Sequence, residues 1–370
     1  MPNEQSTGFR ACKKSAEAIL FTLFLASVVA AQNRGGDAQP GPRPPELTGT
    51  LSYDIASQSG AVQDIVITVG DGGSGLYKAV LMGDPALPTH TIYRPHDLKP
   101  FGASLKMPIV AWANGGCRNS SGEFRNFLTE VASHGFLLLA IGPAGNAVAS
   151  GSEAAGNGSK SSQLLDAVDW ATRENGRAGS EYFGKIDTAK IAVMGQSCGG
   201  LQAMEVSTDP RVSTTVLWTS GLFAAVNARG RGTHPESGQG AAPASPGAAQ
   251  VGAGRAGGGI GGMPQVGKET LAKLHAPIAY FIGGKSDIAF GNAADDFAKI
   301  DSVPVFMANR DVGHYPATYR EPRGGAFAIV GVAWLKWQLK GDQTAAKMFT
   351  GDNCGLCSDP KWTVEKKKIQ

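Results

Sequence analysis

Charge is scarce in this 370-residue chain: Asp, Glu, Lys and Arg make up 18% of it, and Lys+Arg 34 against Asp+Glu 31 leave a formal net charge of only +3. That balance offers no broad cationic face, so nucleic acid is not expected as a partner. The lysines at 366–368 form a short run that reads as a solvated end. Long apolar runs are also lacking. The run from Ala18 to Ala31 has 14 residues, too few for a helix to cross a bilayer core of ~30 Å, and no later stretch is long enough either. No repeat of fixed period is present. What remains is 42% hydrophobic residues, enough for a sizeable core and too many for a disordered polyelectrolyte.

The first apolar run follows Arg10, Lys13 and Lys14 and ends on the small residues Ala30 and Ala31, the layout of an export signal. Residues 1–31 are therefore expected to be a signal peptide, with an uncleaved anchor as the alternative. Residues 32–50 read as a mobile Pro/Gly-rich leader. The mature protein is expected to be secreted or periplasmic, without stable membrane insertion once the signal is cleaved. Cys12 leaves with the signal, and four cysteines remain: Cys117, Cys198, Cys354 and Cys357. An even number in an oxidising compartment suggests two disulfides, with three possible connectivities. Cys354-Gly-Leu-Cys357 can close on itself. Zinc is the competing use of such a pair, but no second Cys/His pair has matching spacing, so no metal is expected.

Between residues 51 and 353 the pattern is that of one α/β domain. Strands are expected at 64–69, 77–82 and 91–95. Buried strands at 108–112, 135–141, 190–194, 212–218, 276–282 and 303–308 then alternate with helices at 122–134, 161–173, from about 200, and at 326–339. Ser161 is placed to cap the second of these helices. Continuous apolar strands alternating with helices imply a mainly parallel sheet covered by helices on both faces. Residues 229–267 are mostly Gly, Ala, Pro, Ser and Gln and read as a flexible insertion, with a functional lid as the alternative. Residues 354–370 read as a C-terminal tail carrying the CxxC pair.

Gly195-Gln-Ser197-Cys-Gly199 fits G-x-S-x-G, and its setting gives it weight, because a strand ends just before it and a helix begins just after it. Ser197 would then stand at the C-terminal edge of the sheet, where open α/β sheets bind ligands. A serine hydroxyl needs a base, and in this fold class the order is Ser, acid, His. His90, His96 and His134 precede Ser197, His234 falls in the insertion, and His275 immediately precedes a strand. That leaves His314, just past the last long strand. Asp287, after the penultimate strand, is favoured as the acid, and Asp311 on the same loop as His314 is its rival. Backbone N–H groups of Gly116 and Cys198 are the expected oxyanion donors. Both of those segments carry a cysteine, so a Cys117–Cys198 disulfide is expected to hold them, with two free thiols as the alternative.

These segments resemble the α/β-hydrolase superfamily, especially secreted cutinase-like polyesterases and dienelactone-hydrolase-like esterases, from about Pro108 to Leu339: PIVAWANGG, HGF, DAVDWATRE, KIAVMGQSCGG, PIAYFIGGKSD and DVGHYPATY. The resemblance implies an α/β-hydrolase fold with Ser197 as nucleophile, Asp287 as acid, His314 as base and Gly116 and Cys198 as oxyanion donors. It implies neither metal nor organic cofactor. The chain departs from the usual GHSMG elbow at Gln196 and Cys198, and Gly221 falls near the place of an aromatic-subsite Trp. Trp218 and Phe223 are candidates for a substrate groove or for the core. The expected function is ester hydrolysis by a secreted serine hydrolase, on a small-molecule or polymeric ester. A catalytically silent binding protein of the same fold and an acyltransferase with the same triad are the alternatives.

Overall fold

The computed structural model describes residues 51–55, 65–148, 158–223 and 263–369. The expected signal, the leader and residues 229–262 of the Gly-rich insertion lie outside them. In chain order the strands and helices are β1 (Leu51–Ile55), β2 (Ile65–Val69), β3 (Ala79–Met82), β4 (His90–Pro95), β5 (Met107–Ala113), α1 (Arg125–Ser133), β6 (Leu137–Ile141), α2 (Ala144–Val148) and α3 (Ser162–Gly176). They continue with β7 (Ile186–Gln196), α4 (Cys198–Val206), β8 (Thr214–Trp218), β9 (Ile278–Ile282), α5 (Phe290–Lys299), β10 (Val305–Asn309), α6 (Gly325–Lys340), α7 (Gln343–Ala346), α8 (Gly355–Ser358) and β11 (Thr363–Lys367).

All eleven strands of the described residues join one sheet in the order β1-β2-β3-β4-β6-β5-β7-β8-β9-β10-β11. The strands β6, β5, β7, β8, β9 and β10 run parallel, and antiparallel strands flank them on both sides. Apart from the partly exposed first half of β7, the central strands are largely apolar, because successive side chains point to opposite faces and both faces are covered. Val110, Trp112, Met194, Trp218, Phe281 and Phe306 share one core with α1 and α6. Ile109, Ala111, Ile191 and Val193 face α3 on the other side. Leu217, Tyr280 and Met307 meet α4 and α5 on that second side.

Two local readings change and one open reading closes. Ser161 does not cap α3; its hydroxyl donates to Glu205 instead. Trp218 belongs to the core, fully buried and stacked on Phe281 with ring centroids 4.7 Å apart. Residues 354–370 are not a tail. Their strand β11 pairs antiparallel with β10, from Asn309↔Thr363 to Val305↔Lys367. Its lysines are bound as well: Lys366 Nζ donates to Gly351 O at 2.5 Å and Lys367 Nζ to Ala298 O at 3.0 Å. An edge strand buries little of its surface, so Thr-Val-Glu-Lys-Lys carries no apolar run to announce it.

Candidate active site

Four loops converge at the C-terminal ends of β5, β7, β9 and β10. The tightest follows β7, where Ser197 sits at φ 53°, ψ −118° between the strand and α4. Few residues other than glycine adopt such angles, and the surroundings hold Ser197 there. Its N–H donates to Trp218 O at 3.0 Å, and its carbonyl accepts from Gly200 N at 2.9 Å and from Ser220 Oγ at 2.7 Å. Both flanking glycines are required by close approach. A Cβ on Gly195 would stand 2.1 Å from Gly199 O, and one on Gly199 would stand 2.2 Å from Ala113 O.

The sheet brings three of the expected side chains together. Ser197 Oγ lies 2.9 Å from His314 Nε2, and His314 Nδ1 lies 2.6 Å from Asp287 Oδ1. The Asp287 carboxylate is wholly buried and accepts two backbone donors besides, Gly283 N–H and Ala289 N–H, each at 2.9 Å. An Asp287 acceptor fixes a proton on Nδ1 and leaves the Nε2 lone pair facing the serine hydroxyl. Close by, burial pushes the Tyr319 phenol well above its usual range, and the Asp287 charge adds to that. Asp311 turns elsewhere and accepts from Ser286 Oγ at 3.2 Å. Among the other histidines, His90 bonds Gln163 O, His134 bonds Glu130 and His275 bonds Val212 O.

After β5, the single turn Gly115–Cys117 carries Gly116 at φ 65° and Cys117 at φ 50°. Cys117 and Cys198 lie at disulfide distance, with Cα atoms 5.2 Å apart, and so do Cys354 and Cys357, at 4.8 Å. Neither the Gly116 N–H nor the Cys198 N–H has an acceptor among the described residues. Both residues line a cavity of about 310 Å³ that also exposes Ser197 and His314.

The rest of that cavity is mostly apolar, with Thr219, Ser220 and Asn292 as its polar members. Leu201, Phe223, Met263, Ile288 and Tyr315 line it, and Met263 Sδ lies 3.5 Å from Cys198 Sγ. Where an aromatic subsite would need a side chain, Gly221 has no room for one, because a Cβ there would meet Ala293 N at 2.5 Å. Asp296 steadies this wall from α5. It accepts Leu222 N–H at 2.8 Å and Lys268 Nζ at 2.6 Å, while burial raises its carboxyl above the usual range despite those partners. Sequence reasoning missed Met263, Ile288 and Tyr315. Only Tyr315 carried a signal, its place beside His314. A larger cavity of about 480 Å³ lies by Asp71 and Arg323, and its described walls hold no histidine.

Among the described residues no group of three or more His, Cys, Asp or Glu is arranged to hold a metal ion, and no helix is long and apolar enough to cross a membrane. No curated protein matches the chain. Residues 91–219, from β4 to just past β8, match the model of the PETase family, described as PET hydrolase-like. That span contains Gly116, Ser197 and Cys198, while Asp287 and His314 lie beyond it. The mostly parallel sheet with its covering helices fits the α/β-hydrolase fold, and the segment from residue 91 to 219 is similar to a hydrolase family of that fold.

Proposed function

We propose that the protein is a secreted serine hydrolase that cleaves carboxylic esters through an acyl-enzyme. The observation that carries this reading is the hydrogen-bonded relay Ser197–His314–Asp287, with separations of 2.9 and 2.6 Å, on the floor of an apolar cavity. His314 Nε2 takes the hydroxyl proton as Ser197 Oγ attacks the ester carbonyl, and Asp287 stabilises the imidazolium that forms. The carbonyl oxygen gains negative charge and is received by the unpaired N–H groups of Gly116 and Cys198. Collapse breaks the bond to the alcohol oxygen, which leaves with the proton from His314. Water then gives a proton to His314 and adds to the acyl carbon, and Ser197 Oγ departs with that proton to release the acid.

The rim supports an apolar ester. Phe223, Ile288 and Tyr315 are 56%, 79% and 64% exposed around the opening, so an extended or polymeric chain has apolar surface to lie on outside the cavity. Esters graded in chain length and aromaticity rank the possibilities. With a short p-nitrophenyl ester, Ser197→Ala should leave no hydrolysis above background. Activity within a few-fold of the parent protein would remove Ser197 from the chemistry.

A further inference from the structure

We infer that Gln196 is a positioning residue that sets the height of the His314 loop against Ser197. The inference rests on the serine-hydrolase reading above.

Gln196 closes β7 and is fully buried. Its Nε2 donates to Thr219 Oγ1 at 2.7 Å and to the His314 carbonyl at 3.1 Å. A backbone carbonyl only accepts, so the nitrogen end of the amide must face His314. The oxygen end points at the turn after β5, where a Cβ on Gly115 would stand 2.0 Å from Oε1. One amide thus touches the loops after β5, β8 and β10.

The loop that carries His314 has few other holds. Residues 310–316 form no helix or strand, and Val312 N–H and Gly313 N–H both donate to Gly283 O, at 3.0 and 2.7 Å. Those bonds fix the approach to His314, and Asp287 fixes its ring. Gln196 fixes the carbonyl on the far side, so that Nε2 cannot rock away from Oγ about the Asp287 bond. Stability alone does not account for an amide here. Oε1 is buried with no partner among the described residues, a cost that an apolar side chain of equal length would avoid.

The test compares the parent protein with Ser197→Ala, Gln196→Met, Thr219→Val and the Gln196→Met/Thr219→Val double variant on a short p-nitrophenyl ester. Ser197→Ala checks the underlying reading by itself. If it keeps activity, the serine-hydrolase reading fails whatever Gln196 does. Given that Ser197→Ala is inactive, Gln196→Met should lower kcat by about 10–100-fold with KM within about twofold, the signature of a displaced reacting group. Thr219→Val should lower kcat by about fivefold, and the double variant should be no slower than Gln196→Met, since both changes release one amide. A kcat for Gln196→Met less than about threefold below the parent, or a loss carried by KM, overturns the inference. Should Gln196→Met fail to fold, Thr219→Val decides alone: a lowered kcat at constant KM supports the role, and an unchanged kcat rejects it.

Discussion

Ser197 holds its hydroxyl toward His314 only because its backbone stays at φ 53°, ψ −118°, a region that glycine tolerates far better than serine. Such a residue stores of order 1–3 kcal/mol of strain. Replacing it by glycine should therefore raise stability by about 1 kcal/mol relative to Ser197→Ala, while both variants lose hydrolysis. Chemical denaturation of the two variants measures the difference, and equal midpoints would mean that the turn is relaxed. At this scale much of the site was legible. Ser197 stood in G-x-S-x-G, and Asp287 and His314 each stood just past an apolar strand. The amide of Gln196 was not legible, because its partners Thr219 and His314 lie far along the chain and meet it only in the folded sheet.

Between elements, the Cys117–Cys198 pair ties the turn after β5 to the start of α4, the two segments that carry the proposed oxyanion donors Gly116 and Cys198. A disulfide across 81 residues of sequence stabilises by about 4–5 kcal/mol through the unfolded chain. It would also hold the two donors in register. Mild reduction, or the Cys117→Ala/Cys198→Ala variant, should lower both the melting temperature and kcat. If the reduced, folded protein keeps its full kcat, the pair holds the fold and leaves the donors unaffected.

His90 links β4 to α3 in a different way. Its Nε2–H donates to Gln163 O at 2.9 Å, Thr89 Oγ1 donates to Nδ1 at 3.0 Å, and burial lowers the ring from 6.5 to about 4. Between those values the unfolded chain binds a proton that the folded chain refuses. The stability from His90 is thus complete above pH 6.5 and is lost as pH falls toward about 4. The loss amounts to about 3 kcal/mol, and the stability gap between the parent protein and His90→Gln should narrow by that much from pH 7.5 to 4. A gap that stays constant would mean that His90 titrates alike in both states.

The eleven-stranded sheet explains which parts of the molecule its sequence announces. Apart from the first half of β7, strands β5 to β10 are buried on both faces and stand out as short apolar runs. The outer strands β1 and β11 are joined to the sheet by backbone hydrogen bonds, and β11 is spelled by lysines and a glutamate. Pairing of that kind leaves no mark in hydropathy. The site follows from the same architecture, since parallel strands deliver all their C-terminal loops to one edge. The apolar rim does not follow from it, because Met263, Ile288 and Phe223 come from irregular segments with no periodicity to read.

Mass mapping after treatment with a fluorophosphonate probe tests the proposed chemistry most directly, since the probe bonds only to a serine whose hydroxyl proton is being drawn away. One adduct is expected per chain, on Ser197, with labelling slowed at least about a hundredfold in His314→Ala. A folded protein that takes no adduct, or takes it on another residue, would contradict the assignment of Ser197 and His314 as nucleophile and base.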